Sequence, residues 1–286
     1  MSKIKHYLSL IKFSHTIFAM PFAIIGFFLG TTHTNGSLNW QLFGLVILCM
    51  IFARSAAMAF NRYIDREIDT ANPRTNMVRQ IPNGSIKAKS ALNFVIVNCL
   101  LFVLVSWFIN QLCFYLSPIA LAIILGYSYT KRFTALCHLV LGLGLSLAPI
   151  GAYLAVTAEF ALLPLFFSVA VLFWVGGFDI IYSLQDENFD KTQSLHSIPV
   201  SIGKKQALTL AKVFHLLTFF ILVYAGTAYD FEKFYWIGFS IFSALLVYQH
   251  SLVKHDDLSK INLAFFTTNG IASILFGIFV IIDILS

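Results

Sequence analysis

The chain has 286 residues, of which 58% are apolar and 11% are charged, and its mean hydropathy is +0.81. Soluble domains contain about 25% charged residues, so this composition excludes a water-soluble globule. A nucleic-acid-binding module is excluded as well, because the net charge of +6 is explained by the orientation of the chain in a membrane, as follows.

Nine apolar runs follow one another along the chain, each close to the 20 residues that span ~30 Å of hydrocarbon at 1.5 Å per residue. The runs are continuous, whereas a transmembrane barrel would show alternating segments. We therefore predict an all-α, polytopic membrane protein with nine transmembrane helices, in a single integral-membrane domain over residues 1–286. The runs are Phe13–Gly30, Gln41–Phe60, Ala91–Ile109, Leu112–Tyr129, Thr134–Val156, Leu162–Leu184, Ala207–Gly226, Phe234–Gln249 and Ile261–Leu285.

Basic residues are strongly biased to one side of the predicted membrane. With nine spans, 16 of the 19 basic residues fall on the side of the N-terminus and only Lys233 on the other, while Arg54 and Lys212 lie within spans. By the positive-inside rule, this asymmetry predicts a cytoplasmic N-terminus and an external C-terminus. The net charge therefore indicates orientation in a lipid bilayer and requires no polyanionic partner.

Two long loops on the predicted cytoplasmic side hold six of the 13 acidic residues, one from about Asn61 to Ser90 and one from about Gln185 to Gln206. Long loops in a compact protein are usually functional or disordered. Each loop contains an Asp-x-x-x-Asp pair, then Ile-Pro, a glycine, and an Ala-Leu that opens the next span.

The aspartates of the two loops are separated by the same offset, since Asp186 follows Asp65 by 121 residues and Asp190 follows Asp69 by 121. We predict a duplication of four spans, with the ninth helix added at the end. An even number of spans per half keeps both acidic loops on one face of the membrane. The two halves cover residues from about 13 to 132 and from about 133 to 254.

The second predicted span presents polar side chains on one face. Arg54, Asn61 and Asp65 are separated by seven and four residues, which places them within about 40° of one another on a helix. Burial of a charged side chain such as Arg54 or Asp179 within a span costs roughly 2.5–3.5 kcal/mol on insertion scales, so both residues are functional candidates by default. The alternative is a structural ion pair between Arg54 and Asp179. The sixth span repeats the spacing with Asp179, Asp186 and Asp190.

Facing carboxylates repel one another unless a cation joins them. Mg²⁺ prefers carboxylate oxygens and often shares its site with phosphate oxygens, and nearby Arg side chains could bind a phosphate bidentately. This combination suggests a metal–diphosphate site, and a diphosphate whose other end needs burial in hydrocarbon is a polyprenyl diphosphate. For any single charge, ordinary solvation in a loop is the alternative. The nearby basic residues are Arg62, Arg66, Arg74, Arg79, Lys131 and Lys191.

In these features the chain resembles the UbiA-type intramembrane aromatic prenyltransferases. The likeness extends from the Phe13-Ser-His-Thr segment to the ninth span, with one departure: many family members have Asp where Arg62 stands here. The elements that carry the resemblance are Asn61-Arg-Tyr-Ile-Asp65-Arg-Glu-Ile-Asp69 with Asn72-Pro-Arg-Thr75, Asp186-Glu-Asn-Phe-Asp190, and Tyr127-Ser-Tyr-Thr-Lys131.

The resemblance implies helices around a central cavity that opens to lipid, and Mg²⁺-dependent transfer of a polyprenyl group from polyprenyl diphosphate. It implies an enzyme of quinone biosynthesis in the inner (plasma) membrane, with its active site facing the cytoplasm and with no obligate protein partner. Arg74 and Lys131 would contact the diphosphate. The residues that would hold Mg²⁺ and the diphosphate are Asn61, Asp65, Asp69, Asp186 and Asp190.

By the same resemblance, Arg54 and Asp179 would orient a small aromatic acid as acceptor, and Tyr127 would stand near the allylic carbon. Both 4-hydroxybenzoate and 1,4-dihydroxy-6-naphthoate carry the carboxylate that Arg54 would bind, and the resemblance favours the 4-hydroxybenzoate branch.

The alternative from another class is a cation-coupled transporter. That class has inverted repeats and binding sites near the midplane, whereas the halves predicted here share one orientation.

Overall fold

The computed structural model describes residues 3–11 and 18–286. Within these ranges the chain is helical and forms no strand, which confirms the predicted all-α fold. The predicted beginning of the first span and the Phe13-Ser-His-Thr segment lie outside the described residues. The helices are α1 (Lys3–Leu10), α2 (Met20–His33), α3 (Trp40–Ile64), α4 (Arg66–Ala71), α5 (Ala88–Ile109), α6 (Gln111–Thr130), α7 (Cys137–Thr157), α8 (Leu162–Ser183), α9 (Glu187–Thr192), α10 (Ile198–Ala228), α11 (Lys233–Leu252) and α12 (Asn269–Leu285), with a 3₁₀ turn at Leu184–Asp186 and a π-helical turn at Leu263–Thr268.

Seven helices in the described part of the chain are long and apolar enough to cross a membrane: α3, α5, α6, α7, α8 with its continuation, α10, and α12 with the π-helical turn. The chain is therefore an integral, multi-pass membrane protein. The other two predicted runs correspond to α2, an apolar helix of 14 residues, and α11, which has 20 residues.

The helix α7 lies at the centre of the packing and contacts α2, α6 and α8. On one side, α8, α10, α11, α12 and α2 pack in sequence around an aromatic core that contains Phe22, Trp174 and Phe276. On the other side, α3 packs on α5 and α6. The two groups of helices therefore share α7 as a common wall.

Two glycines allow the neighbours of α7 to approach its backbone closely. A Cβ on Gly26 of α2 would lie 2.0 Å from the carbonyl oxygen of Pro149, and a Cβ on Gly142 of α7 would lie 2.4 Å from the carbonyl oxygen of Leu172. No larger residue fits at either contact without moving backbone. These contacts fix α7 against α2 and α8 and leave its other face free to border a cavity.

Both aspartate motifs lie where a long helix gives way to a six-residue helix. Asp65 follows the end of α3, and Asp69 lies in α4. Asp186 ends the 3₁₀ turn after α8, and Asp190 lies in α9. The backbone N–H groups of Asp65 and Asp69 bond to the carbonyl oxygens four residues earlier, at 2.9 and 2.7 Å, so the helical spacing assumed from the sequence persists through the first motif.

The glycine that follows Ile-Pro in each of the two acidic loops also has the same backbone conformation. Gly84 has φ +78° and Gly203 has φ +79°, a region that favours glycine because it has no Cβ. At Gly203 the helix α10 is interrupted. The two loops thus share local structure at the motif and at the glycine, while the duplication itself stays a prediction.

Candidate active site

A cavity of about 350 Å³ lies among α3, α5, α6 and α7, and its walls are mainly aliphatic. Arg54 of α3 and Tyr127 of α6 line it at the end closest to the first aspartate motif. Ile109, Cys113 and Phe160 line the opposite end, near the loops on the other face of the membrane. The cavity therefore runs along much of the thickness of the bilayer.

Among the described residues that line this cavity, Arg54 alone is charged. Its Nε is buried and has no hydrogen-bond partner. The carboxylate of Asp179 is not the partner of Arg54: its Oδ2 lies 2.7 Å from Nδ1 of His138. A buried guanidinium without its full set of partners is destabilising, so the N–H at Nε of Arg54 has capacity left for a hydrogen-bond acceptor.

Asp65 is the most heavily shared carboxylate of the site. Its Oδ2 lies 2.7 Å from Nζ of Lys131, its Oδ1 accepts a hydrogen bond of 3.0 Å from Arg132, and the amide of Asn61 donates to Oδ2 at 3.0 Å. The Asp65 side chain is only 2% exposed. The predicted grouping of Asn61, Asp65 and Lys131 is therefore present.

Asp69 lies deep beside Asp65 and forms an ion pair with Arg79 through Oδ1. Its Oδ2 is buried and has no hydrogen-bond partner. The hydroxyl of Thr75 donates to the backbone carbonyl of Asp69 at 2.9 Å and ties the loop to α4. The first motif thus contains one carboxylate oxygen with capacity left for a ligand.

Asp186 of the second motif is bound by the first loop. Arg74 donates from Nε and Nη2 to its two carboxylate oxygens at 3.0 and 2.5 Å, and Asn72 donates to Oδ1 at 3.2 Å. Burial lowers the pKa of the Arg74 guanidinium, but the hydrogen bonds and the charge of Asp186 outweigh this effect and raise the pKa above its ordinary value. This bidentate pair joins the two loops.

Asp190 lies one helical turn beyond Asp186, in α9. Its backbone carbonyl accepts from the N–H of Leu195 at 2.9 Å, and the next residue, His196, donates its N–H to the carbonyl of Lys131 at 2.7 Å. The second motif is therefore linked through the backbone to the lysine that binds the first. Tyr127 lies one turn before Lys131 and borders the cavity.

Two further residues contribute to the site, Arg132 and Tyr182, and neither was among the residues predicted from the sequence. Arg132 binds both Asp65 and the carbonyl of Ile64, although nothing but its position beside Lys131 marks it in the sequence. Tyr182 of α8 accepts a hydrogen bond of 3.3 Å from Arg74. Its position four residues before Asp186 was the feature of the sequence that could have indicated its role. Both act through contacts between segments distant in sequence, which periodicity does not reveal.

The donor set fits Mg²⁺, because carboxylates and an amide oxygen are the ligands that this ion prefers, and Oδ2 of Asp69 is buried without a partner. In the part of the chain that the structure describes, no three His, Cys, Asp or Glu side chains are grouped closely enough to hold a metal ion. Asp65 and Asp186 are instead paired with cations, Asp65 with Lys131 and Arg132 and Asp186 with Arg74.

Comparison with known proteins gives consistent results. A family model described as the UbiA prenyltransferase family matches residues 19–271. The 4-hydroxybenzoate octaprenyltransferase of Vibrio parahaemolyticus serotype O3:K6 is 28% identical over 241 residues, which cover 84% of each chain. That of Francisella tularensis subsp. holarctica is 28% identical over 232 residues, which cover 81% of each chain.

Solved structures share the fold. A UbiA homologue from Aeropyrum pernix K1 superposes with a TM-score of 0.84 at 27% identity and covers 94% of this chain and 98% of its own. A UbiA homologue from Archaeoglobus fulgidus, solved with GPP and Mg²⁺, superposes with a TM-score of 0.73 at 24% identity and covers 98% of this chain and 100% of its own.

The helical membrane fold and the family match define a prenyltransferase embedded in the membrane. The chain belongs to the UbiA prenyltransferase family. This membership sets aside the cation-coupled transporter that the sequence left as an alternative.

Because Asp65 pairs with both Lys131 and Arg132, we expect its substitution to lower the stability of the protein in the absence of substrate. Asp65→Asn leaves Lys131 and Arg132 without their common carboxylate. We expect the unfolding free energy to fall by about 2–3 kcal/mol, less than for a fully buried pair, because both cations are partly exposed. Denaturant unfolding in detergent measures this loss. Glu67→Gln is the control, since Glu67 is 85% exposed, and an equal loss in both variants would contradict the prediction.

Proposed function

We propose that the chain transfers a polyprenyl group from polyprenyl diphosphate to a carboxylated aromatic acceptor, with 4-hydroxybenzoate as the first choice and 1,4-dihydroxy-6-naphthoate as the alternative. The observation that carries this proposal is the placement of four cationic side chains on aspartates beside an apolar cavity. The relatives named as 4-hydroxybenzoate octaprenyltransferases support the acceptor. The cations are Arg74, Arg79, Lys131 and Arg132.

The diphosphate site would form from these same contacts. Asn61, Asp65, Asp69, Asp186 and Asp190 would hold Mg²⁺, and the metal, when bound, supplies Lewis-acid neutralisation of the leaving diphosphate. The A. fulgidus homologue was solved with GPP and Mg²⁺, which supports the proposal of a prenyl diphosphate and Mg²⁺ as ligands.

The cations that pair with these aspartates would turn to the diphosphate oxygens. Lys131 and Arg74 would contact them directly, and Arg132 and Arg79 would add positive charge nearby. Preorganised charge of this kind stabilises a leaving group as its negative charge develops.

The acceptor and the prenyl tail would share the apolar cavity. Arg54 would bind the acceptor carboxylate, as its unpaired Nε suggests, and Tyr127 would lie near the allylic carbon, between Arg54 and the diphosphate. Asp179 would help to orient the acceptor from α8. Aliphatic walls exclude water, which would otherwise compete with the acceptor ring for the reacting carbon.

In the membrane, α2 and α11 would complete nine spans with the seven helices that are both long and apolar enough to cross it. Residues 1–286 would form one domain, built from a four-span duplication and a ninth helix. The basic residues near the aspartate motifs would place the site on the cytoplasmic side of the inner membrane, by the positive-inside rule.

Transfer itself is the first test. Membranes that contain the chain should move isotope from a prenyl diphosphate to an aromatic acid only when Mg²⁺ is added, with product mass identifying which of the two acceptors is used. Asp190→Ala should lower the rate by at least about a hundredfold, because it removes a ligand of the Mg²⁺ whose positive charge would stabilise the leaving diphosphate. Glu67→Gln is the exposed control. Retained turnover in Asp190→Ala would rule out the metal role.

Arg54→Ala should separate acceptor binding from diphosphate binding. A charge-assisted hydrogen bond contributes about 1.5–3 kcal/mol, so KM for the acceptor should rise by at least about tenfold. KM for the prenyl diphosphate should change little, because the diphosphate site lies beyond the cavity. Steady-state kinetics with each substrate varied in turn measure both constants, and equal loss of both would count against this assignment of Arg54.

Gly151 offers a test of the tail path. It lines the cavity, and a Cβ there meets no atom within 4 Å, so Gly151→Leu should fold and fill the space. We expect kcat/KM for long prenyl diphosphates to fall by about tenfold or more relative to geranyl diphosphate. Gly44→Leu is a matched control on α3, where the added atoms are equally free but outside the cavity. Unchanged chain-length preference in Gly151→Leu would show that the tail lies elsewhere.

A further inference from the structure

A four-residue segment that follows α9 and ends with the first residue of α10, Leu195–Ile198, is tied to three different parts of the site; we name it the 195–198 strap. Leu195 donates its N–H to the carbonyl of Asp190 at 2.9 Å, and His196 donates to the carbonyl of Lys131 at 2.7 Å. Ile198 donates its N–H to Nε2 of His138 at 3.3 Å. The strap therefore links the second aspartate motif, the diphosphate-binding lysine and the beginning of α7.

His138 is the buried end of this linkage. Its side chain is 4% exposed, and its Nδ1 lies 2.7 Å from Oδ2 of Asp179. A carboxylate only accepts hydrogen bonds, so Nδ1 carries the hydrogen and Nε2 is left with a lone pair that accepts from Ile198. Asp179 thus sets the tautomer of His138, and His138 joins α7, α8 and α10.

The N–H of Ile198 needs this acceptor. Ile198 is the first residue of α10 and has no partner within its own helix, and the hydroxyl of the N-cap residue, Ser197, is used by Val200. Pro199 follows and has no N–H. Without His138, the N–H of Ile198 would be buried and unpaired, and the strap would be left with a weaker contact to α7, from Sγ of Cys137 to the carbonyl of His196 at 3.6 Å.

We propose that His138 is a positioning residue for the diphosphate site: by holding the 195–198 strap, it keeps Lys131 and Asp190 in the arrangement that binds diphosphate. His138 does not contact the substrate itself. The inference rests on the proposed function, because the geometry that it maintains is that of the proposed diphosphate site.

A pair of variants that differ by one methylene group tests this role. The amide of His138→Gln extends to the region of Nε2 and can accept from Ile198, whereas the shorter amide of His138→Asn remains near Asp179. Binding of inorganic pyrophosphate with Mg²⁺ to the full chain in nanodiscs is measured by calorimetry. We expect His138→Asn to raise Kd at least about tenfold and His138→Gln to remain within about threefold of the wild type.

Hydrogen exchange gives a second readout, independent of pyrophosphate. The amide protons of the strap should exchange faster in His138→Asn than in the wild type, and His138→Gln should restore their protection. His215→Leu is the matched control, because His215 is also a buried histidine, bonded to His250 and to the carbonyl of Trp174. It should leave both Kd and strap exchange unchanged, even where the thermal midpoint falls.

The outcomes separate the inference from the proposed function. Wild-type affinity in His138→Asn, or an equal loss of affinity in His215→Leu, would overturn the positioning role while the proposed function stands. Failure of the wild type to bind pyrophosphate with Mg²⁺ would overturn the proposed function and this inference with it.

Discussion

The site depends on the neutralisation of buried carboxylates by cations from other segments of the chain. Asp65 and Asp69 are 2% and 4% exposed, and an isolated buried charge is strongly destabilising. Each is paired: Asp65 with the end of α6, and Asp69 with the loop after α4. The same requirement joins Asp186 to Arg74 across the two loops. Charge balance thus fixes the positions of the loops as well as those of the ionised groups.

This arrangement has a consequence for binding. A pair of opposite charges in a partly desolvated site is tolerated because each charge neutralises the other. A diphosphate bound together with a divalent metal could replace both members of such a pair, since the diphosphate would pair with the cations and the metal with the carboxylates. A diphosphate alone would leave the carboxylates unpaired, and a metal alone would leave Lys131 and Arg132 unpaired. Under the proposed function, this geometry therefore favours joint binding of metal and diphosphate.

Much of this was predictable from the sequence, because helical periodicity and membrane partition are local. The apolar runs gave the helices, and the spacing of Asn61 and Asp65 placed them in contact, as their hydrogen bond of 3.0 Å shows. The partners of the carboxylates were predicted less completely. Arg132 and Tyr182 reach their positions through the packing of α6 against α3 and the crossing of the first loop over α8, and no spacing rule encodes such contacts.

The intramembrane charges show the same limit more sharply. Arg54 and Asp179 were expected to orient the acceptor together, with an ion pair between them as the alternative. In the structure, the carboxylate of Asp179 contacts His138, while Nε of Arg54 has no hydrogen-bond partner beside the cavity. Partition cost predicts that both residues need partners, but it does not predict which ones. The two residues differ in what α7 offers them. His138 of α7 lies next to Asp179 and can donate to it, whereas the side chains of α7 that line the cavity with Arg54 include no carboxylate. Among the described residues that line the cavity, no carboxylate is available to Arg54, and this is the basis for the proposal that Arg54 binds the acid group of the acceptor.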